Sequence, residues 1–195
     1  PGRLAAVDRV LEHAEPLWAV TAKARALLDV DAADAPLWCV RAARLQDAPE
    51  WWQEAASAWL QRGAHDEAAA VLREWGEAQP ASMPLALELA RAAGLHDLVD
   101  QLLAQQGAGD VDAETARAAA LARAEHKLSK LQDALGAFET LADAADARDD
   151  DVLREAAYDL SVREGLLLHR PRVTLDPMAK AAALASLAQP KEALA

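Results

Sequence analysis

The sequence predicts an all-α protein built of antiparallel helical hairpins, and three observations carry that expectation. First, 51 of the 195 residues are Ala and 30 are Leu, both strong helix formers, against 11 Val, 4 Thr and no Ile. A chain so poor in β-branched residues has little from which to build strands. Second, apolar residues recur at helical spacing in runs separated by Pro, Gly and Asp. Third, the intervals between runs are only a few residues long, so consecutive helices must double back on one another.

The spacing predicts helices over 3–14, 17–29, 35–46, 50–62, 65–78, 83–93, 95–106, 112–127, 131–145, 149–165 and 176–188. Asp34-Ala35-Pro36 and Asp176-Pro177 each place a capping acid ahead of a proline in the first turn, where the missing N–H costs nothing. Ala48-Pro49-Glu50 opens the fourth run without a capping side chain. Gly63, Gly94 and the segment "QQGAGD" fall where turns are needed. Asp149, Asp150 and Asp151 are expected to cap the helix that follows them. The stretch "GLLLHRPRVTLDP" holds two prolines, which predicts an irregular connection with a short extended piece at Arg172–Leu175.

The hairpins repeat. In "WWQEAASAWLQRGAHDEAAAVLREW", Trp52, Ala55, Ala56 and Trp59 share one run, Gly63 makes the turn, and Glu67, Ala68, Leu72 and Trp75 follow, with Pro80 beyond. This pattern resembles the tetratricopeptide repeat, a helix–turn–helix unit. Ala56 replaces that family's usual Gly, and Trp75 is larger than its usual Ala. Gly94, His96, Val99 and Leu103 stand 31 residues after Gly63, His65, Ala68 and Leu72. A third copy runs through Leu121, Ala122, Asp133, Ala134, Phe138 and Leu141, without a turn glycine. Glu192-Ala193 falls where a further copy would begin its second helix, and the chain opens on Pro1-Gly2 without Met, so a segment of a longer protein is expected.

The resemblance is clearest over 49–145. It implies helical hairpins stacked as a right-handed solenoid, preceded by hairpins of irregular register in 1–48 and followed by helices with an irregular connection in 146–195. It also implies a concave face that binds a partner protein or peptide. The inward positions would be Gln53, Ser57 and Gln61, then Glu88 and Arg91, then Arg123, His126 and Lys127. The last three form a basic patch suited to a carboxylate.

Of the tryptophans, Trp52, Trp59 and Trp75 are expected to fill the hairpin core. Trp51 points about 100° away from Trp52. It either packs on the preceding hairpin, near Leu37, Trp38 and Leu45, or stands exposed as a partner anchor. Trp18 and Trp38 each follow Pro-Leu near a helix start and read as a repeated packing motif.

The net charge of −12 is spread over both halves and would repel polyanions, so nucleic acid is not an expected partner. Cys39 is the only cysteine and reads as a small buried hydrophobe. The five histidines form no metal-ligand spacing, and His65 and His96 read as turn architecture. There is no Gly-rich phosphate loop and no G-x-S-x-G elbow, so neither a cofactor nor a catalytic group is expected. No apolar run reaches a membrane span. The expectation is therefore a non-catalytic scaffold, soluble in a bacterial cytoplasm or periplasm. The bacterial origin is read from abundant Ala, Arg and Asp with no Ile or Asn. Two alternatives follow by analogy with other helical repeats: a periplasmic scaffold of a polysaccharide-export or secretion complex, or a repeat enzyme such as a DNA-repair glycosylase.

Overall fold

A computed structural model describes residues 7–8, 10–11, 16–46, 48–109, 111–174 and 178. Among them the secondary structure is entirely helical. The helices are α1 (Leu17–Asp29), α2 (Ala35–Leu45), α3 (Pro49–Gln61), α4 (His65–Ala78), α5 (Met83–Ala92), α6 (His96–Gly107), α7 (Ala113–His126), α8 (Ala134–Arg148), α9 (Asp151–Arg163) and α10 (Arg170–Val173). Helical backbone is also present at 7–8 and 10–11, within the first expected run. The helix expected over 176–188, with its Asp176-Pro177 cap, and the final Glu192-Ala193 copy lie outside the described residues, apart from helical Met178.

Consecutive helices pack in pairs. The chain divides into two compact units, 1–102 and 103–195, a division that falls inside the segment of clearest repeat resemblance.

In the first unit the helices approach closely because small residues line their contacts. Ala19, Ala24, Ala35, Ala55, Ala56, Ala68, Ala86 and Ala90 are all fully buried. Trp52 and Trp75, at 1% and 0% exposure, fill the space those alanines leave. Trp59 is only half-buried, with the Arg62 guanidinium 5.9 Å from its ring centroid. Gly76 is a tight contact in this unit. A Cβ there would lie 3.1 Å from Met83 Cε and 3.2 Å from Leu102 Cδ2.

Three turns of the first unit share one hydrogen-bond pattern. The Ala64 N–H donates to Trp59 O and the Gly63 N–H to Leu60 O. Leu95 and Gly94 do the same to Ala90 and Arg91, and Ala32 and Asp31 to Leu27 and Leu28. These are Schellman closures, which require a left-handed residue just past the helix. Gly63 and Gly94 supply it with φ +69°, and Asp31 with φ 47°. Hence the turn between α1 and α2 has the same geometry as the two glycine turns, although its sequence lacks the glycine.

The second unit closes its first hairpin differently. Beyond α7 the backbone widens into a π-turn over Lys127–Leu131, and Gln132 takes the left-handed position at φ 55°. The core here is Phe138, Leu141, Leu153, Ala157 and Leu160, with Val173 of α10 against it. Asp112, Asp133 and Asp150 each accept N–H bonds at a helix start, so within the acidic run Asp150 alone supplies the cap. Asp34 stands at the start of α2 but its side chain makes no capping bond. Of the extended piece expected at Arg172–Leu175, Arg172 and Val173 are helical in α10, and Leu175 lies outside the described residues. Pro171 is buried in its first turn, where proline is compatible with a helix, and Thr174 is extended.

A left-handed Gln is strained where Gly is not. Gln132→Gly is therefore expected to raise stability by up to about 1 kcal/mol, and Gly63→Ala to lower it by about 1 kcal/mol. Urea unfolding followed by circular dichroism measures both. Equal midpoints for Gly63→Ala and the wild type would show that the turn does not carry this strain.

Candidate partner-binding groove

The faces of α7 and α8 explain a hollow of about 520 Å³ in the second unit. Ala116, Ala120, Arg123 and Lys127 recur at three- and four-residue spacing, so they share one face of α7 and its π-turn extension. The opposite wall comes from α8, where Gly136, Thr140, Ala144 and Ala147 are all small. Ala116 and Ala120 on α7 and the small residues of α8 leave space between the helices that larger residues would fill. Gly107, at the end of α6, and Leu153 of α9 close the ends.

Charged groups ring this hollow. Arg123, Lys127 and Arg148 are basic, and Glu139 and Asp143 acidic. Several also hold the frame. Asp143 accepts a hydrogen bond from Arg172 Nη2 at 2.6 Å. Arg148 Nη1 donates to Val111 O at 3.2 Å, tying α8 to the loop before α7. Lys127 Nζ lies 3.8 Å from Asp133 Oδ2 across the π-turn. The Thr140 hydroxyl donates to Gly136 O at 2.7 Å, so it is turned back on its own helix.

Of the basic patch expected from sequence, Arg123 and Lys127 line the hollow and His126 does not. His126 is 8% exposed and lies about a hundred degrees around the helix from Lys127, on a face directed into the protein. Gln53 and Gln61 are exposed on α3 with Ser57 half-buried between them, and Glu88 and Arg91 are exposed on α5. None of these five lines this hollow or the smaller one at the ends of α2 and α4. Glu139, Thr140, Asp143 and Arg148 were not anticipated. The sequence signal for them was the small–polar alternation of α8, which has meaning only once α7 is known to lie opposite.

Trp51 is not an open anchor. It is 9% exposed, with the Arg25 guanidinium of α1 5.1 Å from its ring centroid. Its 100° offset from Trp52 turns it toward the preceding hairpin rather than into solvent. Trp38 is half-buried between Lys23, at 4.2 Å, and Arg41, at 4.9 Å. Trp18 departs from the packing expected for it and is 58% exposed.

Cys39 is fully buried, and that burial, helped by the charge of Glu54, pushes its thiol up to about 11. It is therefore a protonated, poor nucleophile at neutral pH. Among the described residues no group of three or more His, Cys, Asp or Glu side chains is placed to hold a metal ion. No helix among them is long and apolar enough to cross a membrane.

The sequence matches no protein-family model, no curated protein and no solved structure. What the fold defines is an all-α protein of consecutively paired helices.

The α7 wall is held by Asp150, which accepts from Arg117 Nε at 2.7 Å and caps α9 through the N–H groups of Val152 and Leu153. Burial alone would raise the pKa of this carboxyl. The Arg117 bond and charge and the two N–H groups outweigh burial and hold it below the usual carboxylate range. A carboxyl with a depressed folded pKa contributes stability above its unfolded pKa and loses it as pH falls through the folded value. Asp150→Ala is expected to cost about 1–3 kcal/mol at pH 7, from the lost cap and the lost buried acceptor. Its deficit relative to wild type should shrink in acid, below about pH 4. Urea midpoints measured from pH 7 to pH 3 check this, and a deficit independent of pH would rule out the carboxylate as the source.

Proposed function

We propose that this chain is a non-catalytic scaffold that binds a partner protein or peptide, its hairpins stacked as a tetratricopeptide-like right-handed solenoid. One observation carries the binding reading. The hollow between α7 and α8 falls within the size range of ligand sites and is lined by small side chains. Arg123 and Lys127 stand together on its wall. Such a site suits a partner's acidic side chain or C-terminal carboxylate, held by charge-assisted hydrogen bonds from the two cations. Glu139 and Asp143 on the facing helix would then repel a second acid and accept from a partner's donor, which gives the site a direction.

Two further observations support the stacked arrangement within 17–102. The Schellman turn recurs at Asp31, Gly63 and Gly94. Side chains also pair with partners about one hairpin away. Arg62 donates to Asp31 and to the carbonyls of Ala32 and Ala33, Arg44 pairs with Glu74, and Arg73 donates to Gln101.

The test is selection from a random peptide display library, followed by affinity measurement on the wild type and on the double variant Arg123→Glu, Lys127→Glu. Selected peptides should be rich in Asp and Glu or depend on a free C-terminus. Each charged hydrogen bond is worth about 1.5–3 kcal/mol, so binding to the variant should weaken at least tenfold. Peptides that bind both proteins equally would remove the site. Failure to select any peptide would remove the reading.

A further inference from the structure

α9 buries one side and leaves the other open. Leu153, Ala157, Leu160 and Ser161 are buried. Val152, Glu155, Tyr158, Asp159 and Val162 are exposed, and their three- and four-residue spacing puts them along one side of the helix. Tyr158 with Val162, and Glu155 with Asp159, form two neighbouring ridges, each one turn long. At the end of α9 the turn at Gly165 folds the chain back, with the Leu166 N–H donating to Ser161 O at 2.8 Å. Just beyond it Leu167 and Leu168 are exposed, Leu168 at 74%. Tyr158, Val162, Leu167 and Leu168 are thus four large apolar side chains left open to water within a short span. Single exposed apolar residues are ordinary, whereas a cluster of them marks an interaction surface.

The charges on this helix are unevenly matched. Arg154 holds Asp149 at 2.6 Å and Asp151 at 2.7 Å, Arg117 holds Asp150 at 2.7 Å, and Arg163 holds Glu164 at 3.0 Å. Glu155 and Asp159 are the two acids between them, and neither has a basic partner among the described residues. They stand one turn apart, where like charges repel. Cations brought to them would relieve that repulsion.

We propose that the open face of α9 docks a basic amphipathic helix of a partner protein. The partner's apolar side lies on Tyr158 and Val162, and its Lys or Arg residues pair with Glu155 and Asp159. A helix fits because parallel ridges at four-residue spacing are what the ridges of a second helix pack between. A second copy of this chain fits less well. Symmetric contact through the same face would set Glu155 and Asp159 against their own copies. An anionic bilayer would be repelled by the same two acids. The partner's charge is opposite to that taken by the groove between α7 and α8, and neither reading depends on the other.

The probe is a capped model peptide of about 15 residues, long enough to form a helix, with Leu along one side, Lys beside it and Ala elsewhere. It is titrated into the full chain labelled with ¹⁵N and read by heteronuclear NMR. The expected result is saturable shifts confined to the amides of α9 and of Leu167 and Leu168. A scrambled peptide of the same composition should bind at least tenfold more weakly. Reversing the charges with Glu155→Lys and Asp159→Lys, both at exposed positions, should weaken the Lys peptide at least tenfold. The same variant should gain affinity for a peptide with Glu in place of Lys. Binding should persist in the Arg123→Glu, Lys127→Glu variant, which separates this face from the groove. The proposal is overturned if the Lys peptide does not bind, or if the scrambled peptide binds equally, which is the outcome for attraction to the net charge alone. It is also overturned if the charge-reversed variant keeps its affinity, or if the shifts fall away from α9.

Discussion

An alanine-rich helix can bury little apolar surface against any one neighbour, and the rest of this structure follows from that constraint. A buried methyl group contributes on the order of 1 kcal/mol, so one face of α1 or α3 holds nothing in place by itself. Close approach compensates. With Ala55 and Ala56 on α3 and Ala42 and Ala43 on α2 buried, backbones come near enough for dispersion contacts along their whole length. Every helix then needs a partner on more than one side, and consecutive pairing supplies it. The largest fully buried side chains are few: Trp52 and Trp75 in the first unit, Phe138 in the second.

Small residues at helix contacts bring a second requirement, because they specify sliding position poorly. The polar cross-links meet it. Arg44 with Glu74, Arg62 with Asp31 and Arg73 with Gln101 each join positions 28 to 31 residues apart, fixing one hairpin against the next. Arg117 with Asp150 does the same work in the second unit over 33 residues. The exposed pairs add little stability individually. Their geometric effect is larger, since a slip of one helical turn would break several at once. Asp150 differs in being buried, and there the ion pair and the helix cap share one carboxylate.

The helical runs were legible because the periodicity, the prolines and the glycines all marked the same boundaries, and α1 through α9 fall within a few residues of them. Three things were not legible, for separate reasons. Asp31 fills a position that Gly63 and Gly94 advertise, but Asp is common elsewhere and carries no turn signal of its own. The π-turn after α7 displaced the next helix to Ala134, because Lys127–Leu131 continues the apolar spacing while the backbone widens. The wall of the larger hollow was half visible. Arg123 and Lys127 stood out as cations in an acidic chain, whereas Glu139 and Asp143 look like ordinary solvated acids until α8 is placed opposite α7. Trp51 shows the limit from the other side. Helical geometry fixed its direction relative to Trp52, but only the position of Arg25 on α1 decided that the direction was inward.

The two hollows arise from the same alanine economy and differ in what borders them. Between α7 and α8 the small residues run along the helices, so the space is a groove, and charged groups of both signs stand at its edge. At the ends of α2 and α4 the small residues are terminal, so the space is a pit, and its one pair of charges is spent on holding the two helices together. One sequence bias therefore yields two kinds of hollow, set by whether the small side chains fall along a helix or at its end.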